Sequence, residues 1–238
     1  MYKAMHVALF TKSAVGFVPA DNDYLLMSGR LHEALLQLAG TPCSMCKNGA
    51  PQFILGARLS ALARELGRVP SMLIIRDYRN TETAKGLDGG VWHERLRRAA
   101  DTSTCSDKQS LNSESLWVYY DLCFTSAIAS LGKMALLLKY AHPDLSSANF
   151  DNEERLTERL VGEVAVLTPY VPLRFECLVY ASVLTRRLRL NGIDAYLVIG
   201  IRATPFEAHA WTRIGDRVIG EVPSVTKSLH VIFDGGIL

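Results

Sequence analysis

This chain predicts an α+β fold, on three observations. Short apolar runs parted by turn residues open it, leucines at helical spacing fill its middle, and a helix-period run followed by alternating strand-like segments closes it. Its 238 residues, 49% of them hydrophobic, suffice for one large domain or two small ones.

Residues 7–11, 15–19 and 24–27 read as the strands of a small antiparallel meander, with Ala20-Asp21-Asn22-Asp23 as turn chemistry. Ser28 can cap a helix through Leu31, Leu35, Leu36 and Leu38, and Gly40 stands just past its end. A second helix is expected over 53–66, where Leu55, Leu59, Leu62 and Leu66 keep helical spacing before Gly67. Residues 71–75 suit a further strand or the start of another helix. Residues 79–115 turn polar and small, as in Asp101-Thr102-Ser103-Thr104, and read as a linker or mobile loop with a helical piece at 91–100. Helices are expected over 116–140 and 152–167. The first has nearly the length of a membrane span, but Asp121, Lys133 and Gly132 favour a buried helix of a globular domain, and association with a membrane surface stays open. The cysteine helix from Cys177 to Asn191-Gly192 follows, then strands at 195–201, 208–214 and 217–222.

Composition excludes several classes. A formal charge of +2 carries no basic stripe of a general nucleic-acid binder. Five scattered cysteines argue against a disulfide framework and for a reducing cytosol. The first ten residues are too short an apolar stretch for a signal peptide. Cys43-Ser44-Met45-Cys46 has the spacing of a redox pair or half a zinc site. No second such pair exists, so incidental thiols in a loop, with no metal and no cofactor, are the expectation.

The chemistry concentrates near the C-terminus. Cys177, Ala181, Leu184 and Leu188 share one face of the predicted helix, with Cys177 in its first turn. Free amides and the positive dipole end there favour a thiolate, and the Cys177 N–H is a candidate oxyanion donor. The competing reading is a buried thiol filling the core. His209, Trp211 and Arg213 share one face of a strand, while Ala208, Ala210 and Thr212 share the other. A three-residue hairpin loop around Gly215 would pair Arg213 with Arg217, and so place Glu221 directly across from His209. A two-residue loop would send Glu221 to the opposite face. The plainer roles are a hydrogen-bonded sheet histidine and an edge carboxylate paired with an arginine. Together the three residues predict a Cys-His-acid hydrolase or transferase.

The run from Cys177-Leu178-Val179-Tyr180 through Asn191-Gly192-Ile193-Asp194-Ala195 and Pro205-Phe206-Glu207-Ala208-His209-Ala210-Trp211 resembles the B proteins of lasso peptide biosynthesis, leader peptidases of the transglutaminase-like, papain-like superfamily. The resemblance covers about 171–222, and the ending Ser228-Leu229-His230-Val231-Ile232 is similar to the family's tail. It implies Cys177 as nucleophile and His209 as base. The family usually has aspartate where this chain has Glu221, a departure that leaves the third role to be tested. The resemblance also implies a winged-helix-like precursor-recognition domain of three strands and three helices over 1–80, a linker over 81–115 and a papain-like or transglutaminase-like cysteine peptidase domain over 116–238. Such recognition domains add a leader peptide as an extra strand, with Tyr24, Leu25, Leu26 and Met27 as the expected wall. The implied partners are a lasso precursor peptide, bound by its leader, and a separate ATP-dependent cyclase; this chain has no Walker-type loop. The implied reaction is leader removal before macrocyclisation. An acyl transferase and a leader-binding module without turnover are the alternatives.

Overall fold

The computed structural model describes residues 4–10, 13–18, 23–40, 51–55, 72–78, 113–147, 153–171, 176–203 and 206–237. The chain divides into two compact units. The first is Met1–Lys85 with Ile199–Ala208 and Lys227–Phe233; the second is Gly86–Val198 with His209–Thr226 and Asp234–Leu238.

In the first unit, β1 (Ala4–Leu9), β2 (Ala14–Val18) and β3 (Asp23–Met27) form the expected antiparallel meander. β4 (Pro51–Leu55) and β5 (Met72–Asp77) extend it into a sheet of order β3-β2-β1-β5-β4, with β5 parallel to β1. β4 corrects the expected helix over 53–66 at its first turn. Residues 53–55 pair antiparallel with β5, because a short apolar run reads equally as strand or helix until a partner edge is known. The remainder of that expected helix, the polar stretch over 79–112 and Cys43 and Cys46 lie outside the described residues. Helix α1 (Arg30–Ala39) is capped by Gly29 rather than Ser28, with no side-chain cap bond; Gly40 closes it, as anticipated. Alternation along β1 sets the core. Met5, Val7 and Leu9 pack with Leu35 of α1 and with Leu73 and Ile75 of β5. On the other face, the buried Arg76 donates from Nη1 to the Ile232 carbonyl at 2.8 Å.

In the second unit, one expected helix is two. α2 (Ser113–Ser130) and α3 (Met134–Ala141) part at Gly132, whose φ of 65° leaves the helical region. Lys133 N–H bonds Ile128 O and Gly132 N–H bonds Ala129 O, the paired bonds of a Schellman stop. α2 is buried along one face only, where Val118, Leu122, Ile128 and Ala129 lie inside. Asp121, Thr125 and Ser126 face inward, while Leu116, Trp117, Tyr120 and Phe124 are exposed. The inward polar group has a reason. Asp121 takes the Tyr140 hydroxyl on one oxygen, and Nε of Arg187 and Arg186 lie 2.8 and 3.4 Å from the other. No helix among the described residues is long and apolar enough to cross a membrane.

α4 (Glu153–Leu167) and α5 (Glu176–Leu190) follow. α5 ends in a second Schellman stop, with Ile193 N–H on Leu188 O and Gly192 N–H on Arg189 O, at the Asn191-Gly192 predicted to end it. Strands β6 (Ala195–Ala203), β7 (Phe206–Ile214), β8 (Arg217–Ile219) and β9 (His230–Asp234) form a sheet of order β8-β7-β6-β9. A four-residue helix, α6 (Pro223–Thr226), separates β8 from β9.

Candidate active site

Cys177 is half-buried in the first turn of α5. Ala181, Leu184 and Leu188, on the same face, are fully buried. That face lies against β7. The Thr212 hydroxyl donates to the Ala181 carbonyl at 3.0 Å and sits 3.1 Å from the Thr185 hydroxyl. The small side chains at 181 and 212 permit this approach. One helical turn before Ala181 and three residues before Thr212, the Cys177 thiol and the His209 imidazole come close enough to interact, and the sulfur raises the proton affinity of the ring. Helix and strand therefore run in the same sense, and each presents its reactive group near its N-terminal end.

His209 Nε2 lies 2.9 Å from Glu221 Oε2, and both side chains are nearly removed from water. The other oxygen, Oε1, accepts the Val222 N–H at 2.7 Å. A carboxylate held at both oxygens cannot swing away without losing two bonds. The Trp211 ring lies alongside His209, their centroids 6.4 Å apart.

The route to that contact differs from the expected one. Ile214 pairs with Arg217, Arg213 with Val218 and Thr212 with Ile219, so the loop is the two residues Gly215-Asp216. This corrects the expected three-residue loop. In regular alternation, this register would turn Glu221 away from His209. The strand does not continue that far: β8 ends at Ile219, and Gly220 takes φ 71°. A left-handed residue breaks the two-residue period and re-aims the next side chain. The arginines that the plainer reading would pair with Glu221 are engaged elsewhere, Arg213 with Asp234 at 2.9 Å and Arg217 with Glu153 at 3.2 Å.

Burial lowers the proton affinity of His209, but hydrogen bonds to Cys177 and Glu221, together with their negative charges, outweigh it and raise its pKa from 6.5 to about 9. Its protonated form therefore strengthens folding fully below about pH 6.5, and that contribution is lost as pH rises through about 9. A Glu221→Gln exchange removes one raising partner. The alkaline fall of any turnover, which needs the protonated imidazole, then moves to lower pH, read from rate–pH profiles of both proteins. Coincident profiles would show that Glu221 does not act on His209.

Of the other residues singled out, Leu25 and Met27 of β3 turn toward the core of the first unit and Leu26 turns outward, 69% exposed. Tyr24 lies in the same strand. By the order of its sheet, β3 is an edge strand. Sequence reasoning did not single out Gly220 or Tyr180; a glycine one residue before a candidate acid was the available signal.

Residues 119–234 match the family model described as the transglutaminase-like superfamily. Over 81 residues the chain is 36% identical to the microcin J25-processing protein McjB of Escherichia coli, covering 34% of this chain and 39% of that one. The chain thus spans about two fifths of the length of the curated relative it matches. No solved structure matches it. With a cysteine helix, a histidine strand and these two matches in agreement, residues 119–234 form a transglutaminase-like domain, and part of the chain is similar to a microcin-processing protein.

Proposed function

We propose that the chain is a cysteine peptidase that removes the leader from a lasso precursor peptide before macrocyclisation. The observation that carries this reading is a single imidazole held 2.9 Å from Glu221 and close enough to Cys177 for the sulfur to raise its proton affinity. With Nε2 committed to the carboxylate, Nδ1 is left to face the sulfur. The Cys177 thiolate attacks the carbonyl carbon of the last leader residue, and the oxyanion forms beside first-turn amides of α5. Protonated His209 gives its proton to the departing amine, which becomes the free N-terminus of the core peptide. Neutral His209 then takes a proton from water. The resulting hydroxide adds to the thioester, and collapse releases the leader as a carboxylic acid and regenerates the thiolate. Glu221 orients the imidazole and supports its charge throughout. The freed amine would pass to a separate ATP-dependent cyclase.

In this reading residues 1–80 recognise the leader, 81–115 link and 116–238 cleave. Edge strand β3 is the seat for the leader, which would add to it as another strand, with Leu26 of the set Tyr24, Leu25, Leu26 and Met27 offering its exposed side chain. Burying that leucine is worth about 1.5–3 kcal/mol. Leu26→Glu should therefore weaken leader binding at least about tenfold by fluorescence anisotropy. Unchanged affinity would remove β3 from the interface.

One experiment separates the peptidase from its alternatives. A synthetic precursor is incubated with the chain in water enriched in oxygen-18, and the products are weighed. Hydrolysis places one heavy oxygen in the new leader carboxylate. Acyl transfer yields a leader amide without the label, and a binding module yields neither product. Either of the last two results overturns the proposal.

A further inference from the structure

The bend that aims Glu221 rests on the nucleophile's own helix. A Cβ added to Gly220 would stand 2.8 Å from Tyr180 Oη, 2.9 Å from Leu184 Cδ2 and 3.1 Å from Tyr180 Cε1. The backbone at Gly220 therefore lies directly on two side chains of α5, one and two turns beyond Cys177. Both are buried, Leu184 fully and Tyr180 at 3% exposure. A buried tyrosine three residues after the nucleophile would ordinarily count as core packing. Here its phenol end lies under the one residue that decides which way Glu221 points.

We infer that Tyr180 is a positioning residue for the acid, and that its ring, with Leu184, forms the seat on which Gly220 bends to deliver the Glu221 carboxylate to His209. α5 thereby sets two of the three groups at once: the sulfur from its first turn, and the acid through the seat one turn later. The spacing between them is then fixed by helix geometry instead of by the hairpin alone. Burial and the nearby Glu221 charge both raise the Tyr180 pKa, so the phenol stays neutral beside the carboxylate. The ionisable groups facing His209 are Cys177 from α5 and Glu221 after β8; Tyr180 acts on Glu221. The inference rests on Glu221 as the orienting acid assigned above.

The test reads the His209 titration by NMR in the full chain with labelled histidine, alongside precursor cleavage. In wild type the midpoint is expected near 9. Gly220→Ala places a methyl into the seat at a left-handed φ. Tyr180→Leu removes the ring. Both should lower the midpoint toward 6.5 while circular dichroism shows a folded chain. Tyr180→Phe, which keeps the ring, should retain more of the raised midpoint than Tyr180→Leu. Should Gly220→Ala misfold, the two Tyr180 variants still decide. A midpoint unmoved in Tyr180→Leu, or lowered equally in Tyr180→Phe, overturns the inference. A chain that never cleaves precursor yet shows these shifts would defeat the peptidase reading alone, whereas cleavage with unmoved midpoints would defeat the positioning role alone.

Discussion

Cys177→Ala should abolish precursor cleavage, lowering kcat/KM by at least about 10³-fold, a barrier increase of about 4 kcal/mol. The size follows from the chemistry. Without sulfur no acyl-enzyme forms, and His209 faces a methyl group. Water could still be activated by the imidazole, but hydroxide attack on an amide is far slower than attack by a positioned thiolate. Leader binding should survive, because the expected seat for the leader is β3. The measurement is single-turnover cleavage followed by mass spectrometry, with leader affinity as the control for folding. Cleavage retained within about tenfold of wild type would remove covalent catalysis from the account.

The second large effect concerns stability. Asp121→Ala should destabilise the second unit by about 3–5 kcal/mol, the usual consequence of removing one member of a buried ionic cluster. Asp121 is 3% exposed, and two guanidinium groups and one phenol converge on it. Alanine leaves two cations from α5 facing each other with no anion between them. It also frees the Tyr140 hydroxyl, whose proton is held firmly by burial and by the bond to Asp121. Arg186 additionally lies over the Tyr140 ring, 3.9 Å from its centroid, so α2, α3 and α5 meet at this point. At about 2–4 °C per kcal/mol for a chain of this size, the melting temperature should fall by roughly 10 °C. A fall of under about 2 °C would mean that solvent screens the cluster.

The arginines of α5 divide into what was legible locally and what was not. Arg186, Arg187 and Arg189 read as cations placed for the helix dipole. In the fold, Arg186 and Arg187 meet Asp121, and Arg189 meets Asp194 at 2.9 Å and the Pro143 carbonyl. Their position near the end of α5 was legible; the partners of the first two, far away along the chain, were not. The α2 helix gives the opposite case. Its apolar composition predicted burial, and Val118, Leu122, Ile128 and Ala129 are inside, but so are Asp121, Thr125 and Ser126, while Trp117, Tyr120 and Phe124 stand outside. β4 was misread because five apolar-rich residues carry no decisive period, and β9 was not anticipated as a strand.

By itself, the sequence determined the elements of the proposed site: a cysteine opening a helix, that helix's stop at Asn191-Gly192, and a histidine on an alternating strand. Each is set by local forces, helix period, caps and pleat, which act over a few residues. It also placed Glu221 beside His209, though by the wrong register. Only the tertiary structure decided how that contact is made. The two-residue hairpin turns the acid away, and the left-handed bend at Gly220, lying on Tyr180 and Leu184, brings it back. Such a bend depends on packing between residues far apart along the chain, and no local pattern records that.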